Sequence, residues 1–157
     1  MGEPRWLDDR EQRAWRSLLT MQAGISEYLG RQLRAQSGIS PADYEVLAHL
    51  SESPEGRLRS FVLASWLRWE KGRLSQHLTR MQQRGLIRRE PCATDQRGAV
   101  VVITKKGRAL IEKAAPLHVA NVRNVLIDHA TPDQLDLLTE LGDRVRARLA
   151  EIDDRTR

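Results

Sequence analysis

The segment from Lys71 to Gln83 carries polar side chains of the types that recognise nucleic acids. Spaced for a helix, they would share one face, and the candidates for contacts with bases are Arg73, Ser75, Gln76 and Thr79. Arg73 and Gln76 can form paired hydrogen bonds with base edges in a DNA major groove. Ser75 and Thr79 are suited to bases or phosphates. The segment therefore predicts a helix that lies against a polyanion.

Three further residues of the same segment extend this candidate surface. Lys71 and Arg80 flank it and are suited to phosphate contacts, which set the position of a protein along a duplex. Gly72 lowers helix propensity near the start of the helix, which fits a close approach of the backbone to the groove. An ordinary amphipathic surface helix is the alternative interpretation.

Positive charge is concentrated in the middle of the chain. Thirteen Lys and Arg residues lie between Arg57 and Arg108, against Glu70, Glu90 and Asp95, a net charge of +10. The 157-residue chain carries +5 in total, so the residues outside this segment carry −5. A basic centre between acidic arms favours a polyanionic partner. Chance clustering on a solvated face remains possible, because charge blocks alone are weak evidence.

The elements around the candidate surface read as short helices followed by a hairpin. Leu74, Leu78 and Met81 recur at helical spacing and predict a buried stripe behind the polar face, with Gly85 as the stop signal. Before it, we expect a helix with Ser40 as N-cap, Pro41 in its first turn and Asp43 in a capping box, and a brief helix capped by Ser60. A short strand is expected to link these two helices.

A β-hairpin is expected after the candidate surface. Leu86-Ile87 restarts the chain as a strand, Thr94 to Gly98 carry turn signals, and the segment VVVIT at residues 100–104 is rich in β-branched residues. The order of elements describes a winged helix-turn-helix module over residues 40–104. The fold class is therefore mainly α with a small β-hairpin wing.

Long helices are expected on both sides of this module. Residues 8–36 and 105–153 carry apolar stripes that a small central module cannot fully cover. Thr104 and Thr131 are expected as N-caps, and Pro116 is expected to bend the first of the two C-terminal helices. The uncovered stripes predict a symmetric homodimer through the terminal helices, within one domain spanning residues 1–157.

Three motifs stand out in the central part of the chain: the stretch LSQHLTRMQQRGLI at residues 74–87, Asp95-x-Arg97-Gly98 and Thr104-x-x-Gly107-Arg108. In these motifs the chain resembles the MarR-type regulators of bacteria. The resemblance is clearest over residues 63–108 and extends weakly to the flanking helices. It implies an obligate dimer that binds a pseudo-palindromic operator, usually as a repressor released by a small-molecule ligand.

The resemblance also assigns roles in the wing. In this family the Asp of the D-x-R pair binds the Arg and directs the wing tip into the minor groove, which implies these roles for Asp95 and Arg97. An Arg in a narrow minor groove meets an enhanced negative potential. We expect Arg88, Arg89 and Gly98 to complete the DNA-binding wing, with Lys105 and Lys106 also facing phosphate. A departure from the common pattern falls at Trp69-Glu70-Lys71-Gly72, where many relatives have a small N-cap.

Other classes of function find less support in the residues. We expect no enzyme and no cofactor, because no phosphate-binding Gly loop, nucleophile motif or paired carboxylates occur. The four His are scattered and no CxxC occurs, so we expect no metal site. Two alternatives stay open: a winged-helix module that binds a protein partner, and a redox-responsive regulator acting through Cys92.

A few residues and patterns bear on the effector ligand and on the cellular location. The residues that line any ligand pocket are unknown; conceivable ones are Trp15, Met21, Tyr44, His49 and His118. No apolar run is long enough for a membrane span, and the N-terminus lacks the pattern of a secretory signal. A single cysteine fits a reducing compartment. We therefore expect a cytoplasmic protein that does not bind a membrane.

Overall fold

The computed structural model describes residues 4–92 and 98–156 and is mainly α-helical with a small antiparallel sheet. The elements in chain order are α1 Asp9–Ser37, α2 Pro41–Glu52, β1 Arg57–Arg59, α3 Ser60–Leu67, α4 Lys71–Gln83, β2 Ile87–Pro91, β3 Ala99–Ile103, α5 Lys105–Val125 and α6 Pro132–Thr156. Short 3₁₀ turns occupy Pro54–Gly56 and Ile127–His129. The fold class expected from the sequence is confirmed.

The chain divides into two compact units, Met1–Val119 and Ala120–Arg157, and the division falls within α5. In the first unit, α1 begins at a capping box formed by Asp8 and Glu11 and ends at Gly38, whose φ of 67° is left-handed. The predicted bounds of this helix, 8–36, therefore agree closely with the structure. None of the helices searched among the described residues is long and apolar enough to cross a membrane.

The start of α2 is the capping box expected from the sequence. Ser40 Oγ accepts a hydrogen bond from the Asp43 backbone N–H at 3.1 Å, and the Asp43 carboxylate accepts one from the Ser40 N–H at 3.0 Å. Pro41 occupies the first turn, where its missing N–H has no intrahelical partner to lose. The cap fixes where the first helix of the winged helix-turn-helix module begins.

The cap expected for α3 is wrong. Arg59, not Ser60, occupies the N-cap position, and no side chain caps this helix. Ser60 lies inside the first turn, and its hydroxyl donates to the Ala99 carbonyl of β3 at 2.8 Å. The reason is that β1 leads directly into α3, so the serine ties the helix to the sheet instead of capping it.

The sheet has the strand order β1-β3-β2, with both pairings antiparallel. Val101 lies opposite Leu58 on one side and Arg89 on the other. The expected hairpin is therefore the β2–β3 pair, and the expected linking strand is β1, which forms the third strand. The central strand β3 carries the buried residues Val101, Val102 and Ile103.

The core of the first unit lies between α2, α3, α4, the sheet and α5. Its buried members are Val46, Leu47, Leu50, Leu63, Leu74, Leu78, Met81, Leu86, Ile87, Val101, Ile103 and Ile111. The predicted stripe of Leu74, Leu78 and Met81 is confirmed, with exposed fractions of 2%, 1% and 0%. Burial of this stripe anchors α4 by its apolar side and leaves its polar side to solvent.

The long C-terminal helices begin at the predicted caps. Thr104 Oγ1 accepts from the Gly107 N–H at the start of α5, and Thr131 Oγ1 accepts from the Gln134 N–H at the start of α6. Helix α5 continues through Pro116 to Val125. Helix α6 lies in the second unit, and its apolar residues on one side are largely exposed.

Candidate nucleic-acid interface

The outer face of α4 collects the polar residues selected from the sequence. Six of the seven are exposed, namely Lys71, Gly72, Arg73, Ser75, Gln76 and Arg80, and Thr79 is half-buried. A Cβ at Gly72 would meet no atom within 4 Å, so the backbone there is open to a neighbouring molecule. The face combines three cations with hydroxyl and amide groups, which are the groups that contact bases and phosphates.

The Thr79 hydroxyl is less available to a binding partner than the polar groups around it, because it already makes hydrogen bonds within the protein. The hydroxyl donates to the Ser75 carbonyl at 3.0 Å and accepts from Arg89 Nη2 at 3.0 Å. Arg89 Nε also donates to Gln82 Oε1 at 3.1 Å. Arg89 of β2 therefore lies along α4 and ties the wing strand to the helix, where the sequence placed it only in the wing.

The base of the wing is a small network of opposite charges. Arg88 Nε lies 2.8 Å from one Glu90 oxygen, and Arg57 Nη2 of β1 lies 2.7 Å from the other. The hydrogen bond from Arg88, with the charges of both arginines, lowers the pKa of Glu90. Glu90 therefore stays ionised and links the outer strands across β3.

The tip of the wing falls outside the described part of the chain. Asp95 and Arg97, predicted to form the pair that directs the wing, belong to residues 93–97, which the structure does not describe. On either side of this gap, the Cys92 N–H donates to the Gly98 carbonyl at 3.1 Å. Cys92 is half-buried at the end of β2, and its redox role stays a hypothesis.

The side chain of His77 on α4 is buried. Only 8% of the residue is exposed. Its Nδ1 lies 3.3 Å from Arg80 Nη2, and because a guanidinium only donates, this nitrogen accepts. The proton is then on Nε2, which lies 3.1 Å from Asp43 Oδ1, close enough for attraction though not aligned as a hydrogen bond.

Asp43 joins α2 to the end of α4. Its carboxylate is buried and accepts from Arg84 Nη2 at 2.5 Å and from Arg84 Nη1 at 2.9 Å. Burial alone would raise the pKa of Asp43, but the contacts from His77, Arg84 and the Ser40 N–H outweigh it and hold the pKa well below its usual range. The sequence identified only the capping role, because Asp43 and Arg84 are 41 positions apart.

The loop between α3 and α4 brings an aromatic ring to the first turn of α4. The Arg73 guanidinium carbon lies 4.4 Å from the centre of the Trp69 ring, and the centre of the His77 ring lies 5.3 Å from it. Asp43, Trp69, Arg73 and His77 line an open cleft of about 710 Å³ between α2 and α4. The departure from the common family pattern at Trp69 therefore has a structural role.

The C-terminal end of α4 is held by the start of α5. Thr104 Oγ1 donates to the Gly85 carbonyl at 2.6 Å, and Lys106 Nζ donates to the Arg84 carbonyl at 2.8 Å. A Cβ at Gly107 would lie 2.1 Å from the Leu86 carbonyl oxygen, so only glycine fits there. Lys106, expected to face phosphate, therefore satisfies a carbonyl at the end of α4.

Two of the conceivable ligand-lining residues are in contact. The rings of Tyr44 and His118 are 4.2 Å apart, and burial lowers the pKa of His118 and raises that of Tyr44. Of the others, Trp15 and Met21 are exposed and His49 stacks near Trp66. Among residues 4–92 and 98–156, no group of three or more His, Cys, Asp or Glu side chains could hold a metal ion.

Two short helices, α3 and α4, followed by a β-hairpin that pairs with β1 in a three-stranded antiparallel sheet, define a winged helix-turn-helix protein. A sequence model of the MarR family matches residues 37–98. The chain is 38% identical to AbsC, a MarR family transcriptional regulator from Streptomyces coelicolor, with a TM-score of 0.91 over 94% of this chain and 99% of that one.

Two further relatives are also transcriptional regulators. Sco3205, a MarR family transcriptional regulator from Streptomyces coelicolor solved in complex with DNA, is 36% identical, with a TM-score of 0.89 over 91% of this chain and 90% of that one. The HTH-type transcriptional regulator PecS from Dickeya dadantii is 33% identical over 69 residues, which are 44% of this chain and 42% of PecS. The chain belongs to the MarR family, whose members are transcriptional regulators and not enzymes.

Proposed function

We propose that the protein binds double-stranded DNA in a sequence-specific manner as a homodimer. Helix α4 enters the major groove, and the β2–β3 wing reaches the adjacent minor groove. The dimer represses transcription from a pseudo-palindromic operator until a small-molecule ligand releases it. The observation that carries the proposal is the exposed cationic and hydrogen-bonding face of α4, backed by its buried apolar stripe.

The electrostatics of the first unit support a DNA partner. Lys71, Arg73 and Arg80 are exposed on α4, and Arg88 is exposed on β2. Positive charge in the central segment would release counterions from DNA, which makes affinity fall steeply with salt. The complex of Sco3205 with DNA supports the same partner for this chain by family relationship.

Exposed apolar side chains support the homodimer. On α6, Leu137, Leu141 and Val145 are 63%, 58% and 49% exposed, and Leu138, Leu149 and Ile152 are also exposed. On α1, or just before it, the exposed apolar residues are Trp6, Leu7, Trp15, Leu18, Leu19 and Met21. Apolar rows of this length are typical of interfaces, and a closed pair related by two-fold symmetry covers each row by a second copy.

The sign of regulation and the effector rest on the family resemblance, and the cytoplasmic location rests on the sequence features given above. The Tyr44–His118 contact supplies an aromatic, half-buried surface near which a small apolar ligand could be tested. The exposed cationic face of α4 favours DNA over the two alternatives, a protein partner and a redox response through Cys92. Repression released by a ligand is therefore the form of the proposal that the family supports best.

Selection of bound fragments from random or genomic DNA tests the proposal. We expect enrichment of a pseudo-palindrome whose half-site centres lie about one helical turn apart. Affinity for the selected duplex should fall linearly with salt on a double-logarithmic plot. Loss of affinity on Arg97→Ala tests the wing. Absence of enrichment at low salt would overturn the proposal and favour a protein partner instead.

A further inference from the structure

The turn between α3 and α4 fixes the position of Trp69. Helix α3 ends at Arg68, whose φ of 53° is left-handed, a conformation that a residue with a Cβ adopts only when its surroundings hold it. The Arg68 and Trp69 N–H groups donate to the Ser65 and Ala64 carbonyls at 3.2 and 3.0 Å. The turn therefore directs the Trp69 ring back over the start of α4.

The Trp69 ring lies between two side chains of α4. Arg73 stacks on its face with 4.4 Å between the guanidinium carbon and the ring centre. His77, one helical turn further on, meets the ring edge-on at 5.3 Å with an angle of 90° between the planes. The indole also packs against the main core, so it cannot turn away without disturbing buried residues.

His77 is in turn held from the opposite side. Its Nε2 faces the buried Asp43 carboxylate, and its Nδ1 accepts from Arg80. Asp43 is fixed by its cap and by Arg84. A continuous set of contacts thus connects the start of α2 to the guanidinium of Arg73.

A free arginine on a helix surface samples many rotamers, and this freedom is lost when it binds a base edge. Stacking on an aromatic ring restricts those rotamers while leaving the guanidinium edge, with its paired donors, free to bind. Arg73 is exposed at the start of α4, the part of a recognition helix that contacts bases. Its stacked position is therefore compatible with reading a base.

We propose that Trp69, supported by His77 and Asp43, positions Arg73 for base recognition and thereby sets the sequence specificity of α4. The proposal rests on the DNA-binding function proposed above. Trp69 is a positioning residue here, since it acts through Arg73. The contribution expected from an exposed cation–aromatic contact is about two- to fivefold in the affinity ratio between correct and altered sites.

The test compares Trp69→Leu, Trp69→Phe and Arg73→Ala on the duplex selected by the wild type. A panel of the same duplex with single base pairs changed is measured at fixed salt. We expect Trp69→Leu to lose about two- to fivefold in discrimination at the base pairs where Arg73→Ala loses it, and nowhere else. Trp69→Phe, which keeps a ring face, should retain most of the discrimination.

A double variant separates positioning from a purely structural effect. If Trp69 acts through Arg73, the double variant Trp69→Leu/Arg73→Ala discriminates between sites as well as Arg73→Ala alone. If Trp69→Leu instead disturbs α4 in general, the double variant loses further discrimination at every base pair. Thermal unfolding checks that the variants fold. If Trp69→Leu does not fold, His77→Gln, which removes the ring that meets Trp69 edge-on, provides the comparison in milder form, and Trp69→Phe stays the control that keeps a ring face.

Three outcomes overturn the inference. The first is unchanged discrimination in Trp69→Leu, and the second is a loss of discrimination at base pairs that Arg73→Ala does not affect. The third is tighter DNA binding by Trp69→Leu, which would mean that stacking on Trp69 keeps Arg73 from contacting DNA. A wild-type protein that shows no preferred sequence overturns the proposed function itself. A wild-type preference that survives in Trp69→Leu overturns the role of Trp69 alone.

Discussion

The buried Asp43 carboxylate at the start of α2 accepts two hydrogen bonds from Arg84, which follows the last turn of α4. Helices α2 and α4 of the winged helix-turn-helix module are therefore joined by a bidentate ion pair as well as by apolar contacts. Paired N–H donors in a fixed fork make such a contact directional. It sets the angle at which α4 presents its polar face.

The Asp43–Arg84 pair should show energetic coupling. In a double-mutant cycle of Asp43→Asn and Arg84→Met, followed by urea unfolding, we expect a coupling free energy of about 1–2 kcal/mol, because one partner is buried. The exposed pair Glu27–Arg31 on α1 is the matched control and should give about 0.5 kcal/mol or less. Equal coupling in the two cycles would show that burial adds nothing.

Low pH should remove the contribution of the Asp43 carboxylate to the free energy of unfolding. Its pKa in the folded protein lies well below the ordinary value of 3.8, so the folded state favours the ionised carboxylate. The stabilisation is complete above about pH 3.8 and is lost as the pH falls through the folded pKa. The difference in unfolding free energy between wild type and Asp43→Asn should therefore narrow below pH 4. Parallel curves down to pH 3 would contradict this assignment.

Gly107→Ala should destabilise the first unit. The added methyl group would lie 2.1 Å from the Leu86 carbonyl oxygen, which is backbone and cannot move without disturbing β2. We expect a loss of about 2–3 kcal/mol in the free energy of unfolding. Gly72→Ala is the control, since a Cβ there meets nothing within 4 Å. It should leave stability unchanged or slightly higher, and equal losses in both variants would refute the steric explanation.

Leu141→Glu should convert the homodimer to a monomer. Leu141 is 58% exposed, so the substitution leaves the fold of a single chain intact but places a charge in the proposed interface. Light scattering coupled to size exclusion should report about 36 kDa for wild type, twice the chain mass of 18.0 kDa, and the chain mass for the variant. Thr139→Glu, with the same charge change at an exposed position off the apolar row, should remain dimeric. A wild type that is monomeric at micromolar concentration would exclude the interface.

Local features of the fold could be predicted from the sequence because short-range rules determine them. The caps at Ser40, Thr104 and Thr131, the stop at Gly85 and the buried stripe of α4 all depend on residues a few positions apart. The Ser60 cap failed because a partner 39 positions away, Ala99, takes its hydroxyl. A hydrogen bond between the Ser60 hydroxyl and a carbonyl so far along the chain cannot be predicted from the spacing of neighbouring residues.

The polar residues of the candidate site could be predicted from the sequence, but the contacts that hold them in place could not. Helical spacing placed the polar residues of α4 on one face, and the structure places them there. The burial of His77 and its contacts with Trp69 and Asp43 join segments that are far apart in sequence. Such contacts follow from how α2 packs on α4, which no local pattern encodes. The D-x-R pair of the wing stays a prediction from the family resemblance.

Competitive DNA binding by the purified protein tests whether α4 recognises a specific DNA sequence. The affinity of wild type and Arg73→Ala is measured at fixed salt for the selected duplex and for a scrambled duplex of the same composition. Arg31→Ala on α1 removes the same charge elsewhere. We expect Arg73→Ala to lose at least about tenfold in preference for the selected duplex, while Arg31→Ala keeps it. Equal preference in all three proteins would mean that Arg73 on α4 does not recognise a base pair.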